Sequence, residues 1–570
     1  MPQDDTRERF DINRRRLVQS LGVGGVAGLA GCAGGGDGTD TPGESTPTPE
    51  DETPTPADPD AVQMGGELIA TFGADVKNFD PTAANDTTSS KAFGLVYEPL
   101  VAVDFSGAPQ PVLAESVEQL EGDLMWQITL REGITFHDGS ELTAADVKAT
   151  FERYEGTSRE ADVYNWYSSS TIQDDYTLDV ELSAQYAPLK FAMAGVPITP
   201  EAVANGDLDL TEDPIGTGPY VFEEHQPDEL FRISRNDDYW FTGSDSMPEQ
   251  PPIETVTFRV ITEQSAQLAA LQAGDVDLIN NVPAESYSDL QDNEDFTVTE
   301  RTQGGFDFLA FPTNVSPWDN AKVRRGVSRL VPREAIVESV YNGIGSPAYS
   351  PISPLAAQFT STEFNQRMGE EYLGYDTEQA ATLLEEGLNE AGVETPFQTT
   401  MITNQNPQRV RWCQLIQESL NSTDFFEVSL EQYEWNTFTG IVLAEDSADQ
   451  NHLMALGWSA GWDADAYVHN LFHTDQFTPA CCNLAHYESE EANSLIEQGL
   501  QTYDLDERAT IYQDLMELVC EEAPMTYIRY GKSMDAFRSD VVKGWQTYPI
   551  DSGEFNGVYS PTGAFTYVDK

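Results

Sequence analysis

Positive charge is scarce in this sequence. Lysine and arginine together number 30 against 97 aspartates and glutamates, a net charge of −67 spread along the whole chain. A nucleic-acid-binding role is excluded on that ground, because phosphate recognition needs a basic face. Two readings of the acidity remain: an acidic surface that recruits a cationic partner, or adaptation to very high salt, as in the acidic proteome of a halophilic, archaeon-like organism. The global spread favours the second. At molar salt the Debye length is about 3 Å, so any ligand site must act by contact rather than by long-range steering. Cysteine is equally sparse, at five. Four of these follow Cys32: Cys413, Cys481, Cys482 and Cys520. They allow three pairings if oxidised; buried free thiols are the alternative. Adjacent Cys481 and Cys482 lack the C-x-x-C spacing of a zinc site. Apart from Leu17–Ala30, there is no candidate membrane segment, and no internal repeat is visible.

The N-terminal region reads as an address. Arg14, Arg15 and Arg16 precede the apolar, glycine-rich stretch Leu17–Ala30, which is shorter than the ~20 residues a membrane-spanning helix needs. Small residues then lead into Cys32. This order resembles a twin-arginine export signal ending in a lipoprotein cleavage box, with Cys32 as the lipidated residue of the mature chain. Residues 33–63 follow as an acidic Thr/Pro-rich tether, whose stretch Thr39–Asp60 holds nothing to bury. Extended at ~3.1 Å per residue, its Thr39–Asp60 core would reach roughly 70 Å, enough to lift a folded body clear of a membrane.

Beyond Met64 the pattern alternates between strand and helix. Leu124, Trp126, Ile128 and Leu130 fall at period two, as do Val256, Phe258 and Val260, so 124–130 and 255–260 read as strands. Thr143-Ala144-Ala145-Asp146 forms a capping box, after which Val147, Phe151 and Tyr154 share one helical face. A second helix starts near Asp376 and stops at Gly392; a third spans roughly Glu507 to Glu522. The mixture indicates an α/β fold class.

Seven segments then occur in a telling order: LREGITFHDGSELTAADVKATFER (Leu130–Arg153), IGTGPYVF (Ile215–Phe222), LAALQAGDVDLI (Leu268–Ile279), PWDNAKVRRGV (Pro317–Val327), REAIVESVYNG (Arg333–Gly343), YDTEQAATLLEEG (Tyr375–Gly387) and EEAPMTYI (Glu521–Ile528). Together they resemble the large extracytoplasmic solute-binding proteins of ABC importers, family 5, the peptide- and nickel-binding type. The resemblance spans roughly residues 64 to 560. It implies a two-lobed, type II periplasmic-binding-protein-like fold, with two crossing strands and an extra domain inserted in the first lobe. On that layout the first lobe takes 64–98, 206–305 and 520–570, the insertion 99–205, and the second lobe 306–519. It further implies a monomer that captures a small solute or peptide between its lobes and presents it to a permease and its ATPase subunits, with no cofactor. Asn85 and Phe306 fall near the expected cleft edges.

One stretch invites a different reading. Gly457-Trp458-Ser459-Ala460-Gly461 matches G-x-S-x-G after an apolar run, which is how a serine hydrolase presents its nucleophile. Such a triad needs an Asp or Glu and then a His well downstream, yet the last histidine is His486. The family resemblance instead makes this a cleft-lining segment of the G-W-x-A-D-Y type, with Trp458, Ser459, Gly461 and Trp462 as ligand contacts. Core packing is the alternative for both tryptophans. In peptide-binding relatives an acid pairs with the peptide's amino group at the place Gly461 occupies. Asp463 and Asp465 either supply that charge from a shifted position or are surface carboxylates. Pro312 and Pro332 also depart from the family pattern, in place of an asparagine and an aspartate. His469 and His473, at i and i+4, would share a helical face, but two ligands make no metal site and none is expected. A secreted hydrolase and a ligand sensor feeding a signalling receptor are the competing functions.

If the address reading is correct, Cys32→Ser releases the chain from cell membranes into the soluble fraction, as fractionation would show. Continued membrane retention of that variant would rule out a lipid on Cys32.

Overall fold

The computed structural model describes residues 62–84 and 86–570. Cys32, nearly all of the proposed tether, and Asn85 lie outside the described residues. Three sheets organise the body. A four-stranded sheet runs Glu67–Phe72, Thr255–Val260, Leu230–Arg235, Tyr220–Gln226 in spatial order, parallel at its first pair and antiparallel after it. A second four-stranded sheet, all antiparallel, is built from Ala114–Gln119, Met125–Leu130, Thr177–Leu182 and Tyr167–Asp174. The largest sheet has seven strands and mixes parallel and antiparallel neighbours.

The local grammar explains most of these elements. Thr143 donates its backbone N–H and its hydroxyl to the Asp146 carboxylate at 2.8 and 2.9 Å, so the capping box forms and the helix Ala144–Arg153 follows. Val147, Phe151 and Tyr154 are fully buried. Asp376 accepts from two backbone N–H groups to open Thr377–Ala391, and Gly392 closes it at φ +67°. The third helix begins at Leu505, two residues earlier than expected, because Asp504 accepts from Glu507 N and fixes the start there. The first expected strand begins at Met125 rather than at 124; Leu124 lies outside it and is exposed. Among the described residues no helix is long and apolar enough to cross a membrane.

Two strands of the largest sheet are unusually long: Phe296–Ala310, 15 residues, and Met525–Arg538, 14 residues. They pair antiparallel from Phe296↔Arg538 to Ala310↔Met525, with irregularities at Thr302–Phe306 and Asp307–Phe308. At one end Met534 and Ala536 pack with Leu271, Val276 and Ile279. At the other, Phe306, Phe308, Met525 and Tyr527 join a core with Tyr467, Leu515 and Met516. The pair therefore runs from one apolar core into another, which makes the molecule two-lobed. A separate core, including Trp126, Phe151 and Trp166, backs the second four-stranded sheet.

A buried charge network ties the crossing strands to the first lobe. Arg301 sits on one strand with its side chain fully buried, 3.1 Å from Asp535 on the other and 3.1 Å from Glu554. Lys91, on the helix Thr87–Phe93, reaches Glu554 at 2.8 Å, and Asn280 donates to the same carboxylate. Cysteine pairing is also settled: Cys481 and Cys482 form a disulfide with each other, while Cys413 and Cys520 are buried thiols.

Replacing Arg301 by Met removes the cation 3.1 Å from Asp535 and leaves Lys91 as the cation beside Glu554. Urea unfolding of Arg301→Met is expected to show a loss of about 3–5 kcal/mol. A loss below ~1 kcal/mol would mean that the network is not a stabilising tie.

Candidate functional site

The strand His452–Ser459 lies beside Phe296–Ala310, with Phe306 opposite Trp458 and Gly305 opposite Ser459. Contact between them is close. Ala460 N donates to Gly304 O at 2.5 Å, and a Cβ on either Gly304 or Gly305 would collide with the carbonyl oxygen of Ala460 or Trp458. Only glycine permits that approach. Just beyond it opens a cavity of about 450 Å³, lined on one side by Phe306, Asp307, Trp458 and Ser459, and on the other by Thr87 and Ile550. Thr87 opens the helix that Asp86 caps. A second cavity of about 410 Å³ shares Gln303, Asp307, Arg409 and Arg529 with the first.

The shared residues form a compact charged wall. Arg529 Nε lies 3.4 Å from Asp307 Oδ2 and Arg409 Nη2 lies 3.9 Å from Oδ1. Tyr341 donates its hydroxyl to Oδ2 at 3.1 Å, and the Arg529 guanidinium stacks 3.5 Å from the Tyr341 ring centroid. Burial first, then the neighbouring Asp307 charge, holds the Tyr341 phenol well above its ordinary range and therefore neutral. Arg409 also donates to Asn404 at 2.9 Å. Two arginines thus share one carboxylate, and the Nε atoms of both are buried without a hydrogen-bond partner. In a chain with only 30 basic residues, this wall is locally positive and has donors to spare.

Of the residues singled out in the sequence, Trp458, Ser459 and Phe306 border the cavity. Trp458 anchors by donating its indole N–H to Ala466 O at 2.9 Å. Phe306 keeps its ring in the core, edge-on to Tyr527. Ser459 is exposed, and no histidine hydrogen-bonds its hydroxyl among the described residues. His486, the last histidine, stacks on Phe477 and bonds Thr478 instead. Gly461 lies just outside the lining. A Cβ there would meet only Ile550 at 4.0 Å, so a side chain at this place would point towards the opposite lobe.

The remaining three point elsewhere. Trp462 packs over Gly107 and edge-on to Tyr548, with ring centroids 5.9 Å apart. Asp463 does not supply a shifted cleft charge: its carboxylate is buried and held by both terminal nitrogens of Arg508, at 2.5 and 2.7 Å, on the helix Leu505–Glu522. Asp465 opens the helix Asp465–Phe472 beside His469; burial pushes its carboxyl up despite that neighbour. Arg409, Arg529, Asp307 and Tyr341 were not anticipated. The scarcity of arginine is a usable hint, but which of them converge depends on strand register.

Comparison with known proteins agrees with this architecture. Residues 108–479 match the family described as "Bacterial extracellular solute-binding proteins, family 5 Middle". The chain is 27% identical over 517 residues to the oligopeptide-binding protein AppA of Bacillus subtilis, covering 85% of this chain and 90% of that one. It is 24% identical over 488 residues to the glutathione-binding protein GsiB of Salmonella typhimurium, covering 84% and 92%. Among solved structures, AppA of Bacillus subtilis in complex with a nonapeptide superposes with a TM-score of 0.66 at 24% identity, over 89% of this chain and all of that one. HbpA2 of Haemophilus parasuis gives 0.76 at 22% identity with the same coverage.

Proposed function

This chain belongs to the family 5 extracellular solute-binding proteins, which bind and do not catalyse, and from that premise we propose a lipid-anchored receptor that delivers a peptide-like solute to an ABC importer. The solute carries a carboxylate and lies between the lobes, near Trp458, Ser459 and Phe306. Lobe one comprises 64–98, 206–305 and 520–570, with 99–205 inserted and 306–519 as lobe two, save that the start of the Met525–Arg538 strand packs into the core of lobe two. The permease meets the closed form of the two lobes.

The observation that carries the ligand class is the pair Arg409 and Arg529 around the single carboxylate of Asp307. A guanidinium is never neutralised at ordinary pH, and its fork matches a carboxylate. Both arginines line the cavity, so a carboxylate entering it would meet guanidinium groups that share a single internal acid. Oligopeptide and glutathione ligands, named for the relatives AppA and GsiB, both carry such a group. The free amino end of a peptide would find no acid at Gly461. Selectivity on this reading comes from the carboxylate end and from backbone contacts at Gly304–Gly305, with Trp458 as an apolar wall.

Two measurements test this reading. Arg409→Ala and Arg529→Ala are each expected to weaken binding of a free-carboxylate peptide by about 10- to 100-fold, an ionic hydrogen bond's ~1.5–3 kcal/mol. Their effect on the same peptide amidated at its C-terminus should be small. Equal losses for both peptides, or none, would overturn carboxylate recognition. Gly461→Asp places an acid facing Ile550 and is expected to raise affinity for peptides with a free amino group by a few-fold. Unchanged affinity would put the amino end elsewhere.

A further inference from the structure

Away from the cleft, on the second lobe, the helix Asp465–Phe472 ends at His473, whose backbone is extended (φ −76°, ψ 142°). The chain then makes a tight turn over Thr474–Gln476. That exit brings together three side chains that sequence spacing alone did not unite. The His469 and His473 rings lie 4.9 Å apart, tilted by 32°. Asp475 Oδ1 sits 2.6 Å from His473 Nδ1 and 3.5 Å from His469 Nε2. One ligand atom from each of the three residues falls within 4.8 Å of the others.

We propose that His469 Nε2, His473 Nδ1 and the Asp475 carboxylate form a binding site for a divalent transition-metal ion of the zinc, cobalt or nickel class. Two imidazoles and one carboxylate are a donor set for such borderline ions rather than for calcium or magnesium, which prefer all-oxygen shells. The 2.6 and 3.5 Å separations bracket the ~3.3 Å between neighbouring ligand atoms in a tetrahedral shell with bonds of about 2.0–2.1 Å. His473 Nδ1 accepts from the backbone N–H of Asp475 at 3.3 Å, which shows this nitrogen to be unprotonated there; a metal on the same lone pair would take the place of that bond.

The outer side of each ring supports the same assignment. His469 Nδ1 faces the Asp465 carboxylate at 3.6 Å, and His473 Nε2 faces Glu497 of the neighbouring helix Glu490–Gln501 at 3.5 Å. Each imidazole thus has its inner nitrogen on Asp475 and its outer nitrogen 3.6 or 3.5 Å from a separate carboxylate, too long for a formed hydrogen bond but near enough to become the second-layer contact that orients a metal-bound histidine. His473 is 8% exposed, and its Nε2 has no hydrogen-bond partner. Asp475 and Glu497 are more than half exposed, which leaves a solvent side where water completes the shell. Bound metal would fasten the end of the Asp465–Phe472 helix to the turn that follows it, independently of the solute between the lobes.

The full chain, stripped with chelator, is titrated with Co²⁺ and with Zn²⁺ against a chromophoric competitor in excess Mg²⁺, which occupies ordinary surface carboxylates. The expected result is one tight equivalent, with the intense visible Co²⁺ bands of a four-coordinate site. His469→Ala and His473→Ala should each abolish those bands, and Glu497→Gln should weaken binding about 10- to 100-fold. Circular dichroism of the metal-free variants checks that they fold. Absence of a tight equivalent, or a tight equivalent untouched by both histidine variants in folded protein, would overturn the proposal.

Discussion

The antiparallel pairing of Phe296–Ala310 with Met525–Arg538 is the constraint on which the rest of this molecule rests. Each strand contributes side chains to a core at either end, so neither lobe packs without the other's backbone passing through it. Where the pairing becomes irregular, between Thr302 and Phe306, Gly304 and Gly305 carry the chain against the end of the Trp458 strand. The cavity opens there because backbone, and not side chains, occupies that crossing. The buried Arg301, Asp535 and Glu554 hold the first-lobe end of the pair and link it to the helix on which Thr87 stands. Network, strands and cavity wall form one continuous piece of structure.

Charge is distributed in two opposite ways. The net charge is −67, but the cavity wall places two guanidiniums around one carboxylate. A long-range field from the surface would repel an anionic solute, and molar salt would screen that field beyond a few ångströms. Contacts inside the cavity are screened far less. The same logic explains where acids serve structure: Asp463 neutralises buried Arg508, and Glu98 accepts from Thr217, Tyr239 and Trp240. Burial pushes the Glu98 carboxyl up to about 7.

The segment Gly457–Asp465 shows how far a motif can be read without coordinates. Trp458 and Ser459 border the cavity, as a cleft-lining strand end should. Four residues later the same logic breaks down, because Asp463 turns inward to an arginine 45 positions away in sequence. Asp465, next to it, joins a group with His469, His473 and Asp475. The i, i+4 spacing placed the two histidines near each other but missed Asp475, since His473 leaves the helix and the following turn folds the aspartate back onto both rings.

What the sequence determined by itself was what is encoded locally or by ordered motifs: the α/β class, the capped helices at Thr143 and Asp376, the strand alternations, the two-lobed family fold, and the absence of a serine triad from the histidine positions. The caps and strands follow from short-range backbone hydrogen bonding and side-chain periodicity, which neighbouring residues specify; the two-lobed fold was legible only through the resemblance that the ordered motifs carry. Only the tertiary structure decided which charges meet. Arg409, Arg529 and Asp307 come from three different elements, and their convergence depends on register across the largest sheet, a relation no local spacing contains.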